Sequence, residues 1–217
     1  MQQQCQNIIF CFTAPCRIGV SLALFALITG CASNHQLVKE KNNPVENQKA
    51  GIQAGKPTLA DAREARIDFD AAMEFIRAGE YDRGIKLLNK VTAIEKNNPV
   101  PYINLAMAYG KVDNLKLAEE NLKQALNIEP ENPVASNEYA LLYRKTGRFS
   151  EARHLYERIL KKYPGFYMAR RNFGILCDLY IRDYGCALKQ YEIYSGAMPG
   201  DKTVKIWIVD VKKRLTQ

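Results

Sequence analysis

Side chains able to do covalent or acid–base chemistry are few in this chain and widely separated. Among 217 residues there are six Cys, two His and one Trp. Cys5, Cys11, Cys16 and Cys31 lie near the start, and Cys31 directly follows an apolar run with Thr29 and Gly30 before it. Cys177 and Cys186 are too far apart in sequence for a CxxC redox site. Two states stay open for them: a pair of free thiols, or a staple across a turn should their Cα atoms come within about 4.4–6.8 Å. His35 and His154 have no carboxylate partner at a fixed spacing, and so few histidines argue against a multi-histidine metal site. The chain has no glycine-rich phosphate loop, no paired-His metal motif and no nucleophile elbow. We therefore expect no enzyme, no metal, no cofactor and no small-molecule substrate.

The elements that carry these residues begin with an address. Residues 18–28 read Ile-Gly-Val-Ser-Leu-Ala-Leu-Phe-Ala-Leu-Ile behind Arg17. As a helix rising about 1.5 Å per residue, this run is too short for a hydrocarbon core of about 30 Å. It suits the apolar region of a secretory signal. Leu27-Ile28-Thr29-Gly30-Cys31 resembles the bacterial lipobox. That resemblance implies a signal peptide over residues 1–30, cleavage before Cys31, and acylation of its thiol. The small neighbours then let the peptidase approach the bond. The alternatives are an ordinary secretion signal with a chance Cys and a retained anchor. In lipoproteins the residue after the Cys influences sorting, and Ala32 in place of Asp implies the periplasmic face of the outer membrane. Each buried methylene of an acyl chain, palmitate among them, contributes about 0.8 kcal/mol, and several chains together hold firmly.

Residues 32–57 are rich in Asn, Gln, Lys and Ala and poor in large apolar side chains. Such a segment cannot bury enough surface to order itself. With Cys31 it reads as a tether, domain 31–57, with a reach of roughly 28 Å. The whole chain carries a net charge of +8, of which only Arg17 would leave with the signal. On location, this positive balance points to anionic lipid or acidic protein segments, or simply to solubility, rather than to nucleic acid.

From Thr58 the sequence repeats with a period of 34. Ala72, Ala106, Ala140 and Gly174 are small at that interval. Phe75, Tyr109, Tyr143 and Cys177 follow in step, and Gly79, Asp113 and Gly147 mark turns. Gly84, Ala118 and Ala152 are small again, and Leu88, Leu122 and Tyr156 are large. Each unit is thus two amphipathic helices of about 12–15 residues, drawn together by small residues. One such pair cannot bury its apolar faces, whereas a stack can. In the fourth unit Tyr184, Ala187, Tyr191 and Pro199 arrive one residue late, so an extra residue near 180–182 lengthens its first helix or turn. After residue 200, Val204, Trp207, Ile208, Val211 and Leu215 fall on one helical face, as expected of a capping helix over 201–217.

The pattern resembles the tetratricopeptide repeat family. Its second unit matches best, with Tyr102, Leu105, Ala106, Tyr109, Ala118, Leu122, Ala125 and Pro130 in signature places. The resemblance implies an all-α solenoid of about four helix-hairpin repeats over 58–200. It also implies a concave groove, lined by the first helices, that binds peptides. Carried over by position, the groove residues are Arg66, Phe69 and Met73 in unit one, and Ile103, Asn104 and Met107 in unit two. Unit three adds Asn137, Leu141 and Arg144, and unit four Arg171, Asn172 and Ile175. Some of these side chains can instead serve only to pack units together. The Lys and Asn set with which some members clamp a terminal carboxylate is not reproduced, because Phe69 and Met73 take its places. The expected function is an interaction scaffold or assembly factor for pilus, secretion or cell-wall machinery, with envelope proteins as partners. The alternative is an accessory component of a TonB/ExbB-type transport system.

Overall fold

The computed structural model describes residues 58–217; the expected signal, Cys31 and the tether lie outside the described residues. Thr58 opens the first helix with a capping box, its hydroxyl accepting from the Asp61 amide while the Asp61 carboxylate accepts from the Thr58 amide. Helix α1 (Leu59–Arg77) then pairs with α2 (Tyr81–Ile94). Helices α3 (Pro99–Lys111) and α5 (Pro133–Lys145) both start on Asn-Pro. In each, the Asn side chain caps the first turn and the proline takes the first helical position, where no amide bond is lost. They pair with α4 (Leu115–Ile128) and α6 (Phe149–Lys162). Unit four consists of α7 (Tyr167–Ile175), running into a π segment (Leu176–Ile181), and α8 (Tyr184–Ala197). Helix α9 (Lys202–Leu215) covers α8. Among the described residues no strand forms, and no helix is long and apolar enough to cross a membrane.

The fold is the expected stack of hairpins. Successive units meet through α2 on α3, α4 on α5 and α6 on α7, and the first helices also touch along the row, α3 with α5 and α5 with α7. Ala72, Ala106, Ala140 and Gly174 are all buried where hairpin helices approach. The turns between paired helices need a left-handed residue, supplied by Gly79 and Gly147, by Asp113 at φ 61° and by Arg182 at φ 62°. Arg182 comes thirty-five residues after Gly147, not thirty-four, which locates the extra residue. The π segment absorbs it, because a wider turn accommodates one more residue without displacing the helix that follows.

Cys177 and Cys186 are joined across this turn with their Cα atoms 5.9 Å apart. Closing so short a loop stabilises by about 2–3 kcal/mol in chain-entropy terms. Beside Cys177, buried Asp178 accepts from Arg214 Nη1 of α9 at 2.7 Å. The end of the repeats is thereby tied to its cap. Within α9, Val204 and Val211 are fully buried and Trp207 and Ile208 partly so, whereas Leu215 in the last turn stays 47% exposed.

Gly174 stands where earlier units carry Ala because the ring of Tyr191 lies directly over it, and a methyl group there would run into that ring. Gly174→Ala should therefore cost about 1–3 kcal/mol by overpacking. The change is read as a lower urea midpoint at unchanged slope, and an unaltered midpoint would contradict this packing.

Candidate peptide-binding groove

The first helices present one face in a row, and residues thirty-four apart share a level on it. Phe69, Ile103, Asn137 and Arg171 form one level; Asp70, Asn104, Glu138 and Asn172 the next; Met73, Met107, Leu141 and Ile175 the third. Four of the twelve residues assigned to the groove from sequence do not reach its surface. Met73 is in the core, and Ile103 packs on Ala125 and Ala135 at the joint between units two and three. Asn104 donates to the Val100 carbonyl of its own helix at 2.9 Å. Asn137 is fully buried, accepting from Asn172 Nδ2 at 3.1 Å and donating to Glu138 Oε1 at 3.0 Å. These four back the groove and hold units in register. Arg66 is exposed, and Phe69, Met107, Leu141, Arg144, Arg171, Asn172 and Ile175 are partly exposed, which leaves them available to a ligand.

Between units two and three the row opens into a cavity of about 120 Å³. Buried Ala106, Ala118, Leu122 and Leu142 line it, together with the more accessible Met107, Gly110, Glu138, Leu141 and Lys145. Gly110 makes the room: a Cβ built there meets nothing within 4 Å. An apolar side chain entering this space would gain about 1.5–3 kcal/mol from burial.

The same two units are locked from the side. Arg148 donates to both oxygens of Glu119, at 3.3 and 2.8 Å, and the Tyr139 hydroxyl donates to Glu119 Oε1 at 2.9 Å. Arg148 also lies 4.1 Å from the centroid of Tyr143, which stacks on Tyr139. The Arg148 bond, with Lys123 and Tyr139 adding to it, holds the Glu119 carboxyl down to about 2. Burial together with bonds to Tyr143 and Glu119 pushes the Tyr139 phenol far above its usual range. Farther along the row, the Arg171 guanidinium sits 4.9 Å from the Trp207 ring centroid and 3.6 Å from Asp201. His154 is on the exposed face of α6, away from the row.

Sequence reasoning did not single out Glu138 or Gly110 as site residues. Glu138 was open to detection, since it occupies the repeat place of Asn104 and Asn172. Crowding around its carboxyl pushes the pKa up to about 7, against the pull of Asn137, Lys111 and Arg144. The void at Gly110 depends on what surrounds it, which a period alone does not reveal.

Residues 111–170 match the family model described as tetratricopeptide repeat. A curated relative, tetratricopeptide repeat protein 16 of Macaca fascicularis, is 35% identical over 85 residues, 39% of this chain. The chain spans only about a tenth of the length of that relative. Among solved structures, PilW, titled a widely conserved type IV pilus biogenesis factor, superposes with a TM-score of 0.63 at 22% identity, covering 70% of each chain. PilF of Pseudomonas aeruginosa gives 0.65 at 18% identity over 71% of each chain. At such identities the likeness shows the fold. Residues 111–170 thus match tetratricopeptide repeats, and the described helical hairpins resemble those of PilW and PilF in fold.

Glu138 makes stability depend on pH with a definite sign. Its carboxyl holds a proton up to about 7 when folded but releases it near 4.5 when unfolded. Taken alone, Glu138 therefore favours folding most below 4.5, less as the pH rises to 7, and least above that. Glu138→Gln should melt close to the parent at pH 4.5 and clearly higher at pH 8, by about 2–4 °C for each 1 kcal/mol. Equal melting shifts at the two pH values would contradict the assignment.

Proposed function

We propose that this chain is a lipid-anchored scaffold on the periplasmic face of the outer membrane. It captures a protein partner by a segment laid along the row of first helices and serves the assembly of pilus, secretion or cell-wall machinery. The carrying observation is the cavity between units two and three, an apolar socket opened by Gly110 and flanked by the Glu119–Arg148–Tyr139 lock that fixes its walls. A preformed socket lowers the ordering cost of binding an extended chain. The envelope location is supported by Leu27–Cys31 behind its apolar run. The class of machinery is supported by likeness of fold to a type IV pilus biogenesis factor.

Gly110→Met tests the socket. The new side chain starts in open space and replaces glycine in a helix, so the hairpin keeps or gains stability. Cross-linking in intact cells followed by mass spectrometry should show the captured partner lost from this variant at an undiminished melting temperature. Unchanged capture would mean the partner binds elsewhere. The anchor is tested separately by Cys31→Ala, which should abolish palmitate labelling and move the protein from the membrane to the soluble fraction. Persistent labelling or membrane association would refute acylation at this residue as the anchor.

A further inference from the structure

The last helix of the stack carries an outer face that a cap does not need. On its inner side α9 buries Val204 and Val211 in the core it shares with α8. On the opposite side Lys202, Ile206, Val209 and Lys213 follow one another at helical spacing, with Lys205 beside them. Ile206 is 67% exposed and Val209 69%. A cap keeps a repeat stack soluble by presenting a polar outer face, and two bare β-branched residues oppose that role.

The free charges around the pair have one sign. Lys202, Lys205 and Lys213 form no ion pair among the described residues, whereas Lys212 is held by Glu192 at 2.8 Å. Asp210, the carboxylate of this helix, accepts from Arg214 Nη2 at 2.6 Å. Lys202 and Lys205 lie at the start of α9, where the helix dipole disfavours a cation, so they do not serve the helix itself. The other end of the stack differs. There the exposed Ile67 of α1 shares its face with Arg63, Glu64, Asp70 and Glu74, which are mixed in sign and net negative.

A basic face with apolar residues at its centre complements an anionic phospholipid surface. The apolar side chains enter the boundary between headgroups and acyl chains, while flexible lysine stems carry their ammonium groups to the phosphates. We infer that α9 rests on an anionic phospholipid bilayer through this face, with Ile206 and Val209 entering it and Lys202, Lys205 and Lys213 meeting phosphate groups. A second copy of the chain would set these lysines against their own kind. An extended peptide would need a groove, and this face belongs to a single helix. The anchor proposed above would concentrate the contact. Residues 32–57 span at most about 90 Å when fully extended, well beyond the four steps of about 8–10 Å that lead from α1 to α9.

The test removes the anchor, so its outcome is independent of acylation at Cys31. The full chain carrying Cys31→Ala is sedimented with vesicles of phosphatidylcholine alone, or of equal parts phosphatidylcholine and phosphatidylglycerol. Binding should favour the anionic vesicles by about tenfold or more and weaken with added salt. Each lysine near such a surface contributes about fivefold, so Lys202→Gln, Lys205→Gln and Lys213→Gln together should erase the preference. The same loss of charge as Lys86→Gln, Lys116→Gln and Lys161→Gln, at exposed places on second helices, should leave it largely intact. Ile206→Ser with Val209→Ser should weaken binding to anionic vesicles about tenfold. Its melting temperature should not fall, because both side chains already face water. Equal binding to the two vesicle types would overturn the inference. So would a preference that survives the triple change in α9, or one that the control triple lowers equally, since either places the contact elsewhere. Loss with the lysines but not with the apolar pair would overturn it too, by leaving a purely electrostatic face suited to an acidic protein segment.

Discussion

Everything in this molecule depends on how closely the two helices of a hairpin can approach. Ala72, Ala106, Ala140 and Gly174 place almost nothing between the helix axes, so large residues such as Leu88, Leu122, Tyr156 and Tyr191 can interlock around them. A hairpin packed this way still has two apolar sides, and only the next hairpin covers them. The row of first helices follows from that stacking.

The fold was legible in the sequence because a period of thirty-four samples the same physical environment repeatedly. Small, aromatic and turn residues each recur, so one ambiguous position is outvoted by its equivalents. The late landmarks of unit four even indicated an extra residue, although not that a π turn would accommodate it. The groove was legible only as a set of places. Whether a side chain at such a place reaches solvent depends on its neighbours, and these differ between units. Asn137 sinks because Asn172 meets it, and Ile103 because Ala125 and Ala135 leave room for it. A repeat pattern states where a residue starts from its helix but not what waits at its tip. The cavity beside Gly110 is a property of that second kind.

Charge is distributed unevenly along the stack. The joint between units two and three is fixed by Glu119 with Arg148, and the end of the stack by Asp178 with Arg214 and by the Cys177–Cys186 link. Both are partly or fully withdrawn from water, where such contacts are screened least. The groove therefore has stiff walls at the joint between units two and three and at the end of the stack.

Gly110 has a consequence for how such a scaffold changes over time. Its empty neighbourhood lets Ala, Val or a longer side chain appear there by few mutational steps with no clash in the hairpin behind it. The size of the socket can drift among descendants of this chain while the frame is conserved, so under the binding mode proposed above partner choice becomes evolvable separately from foldability.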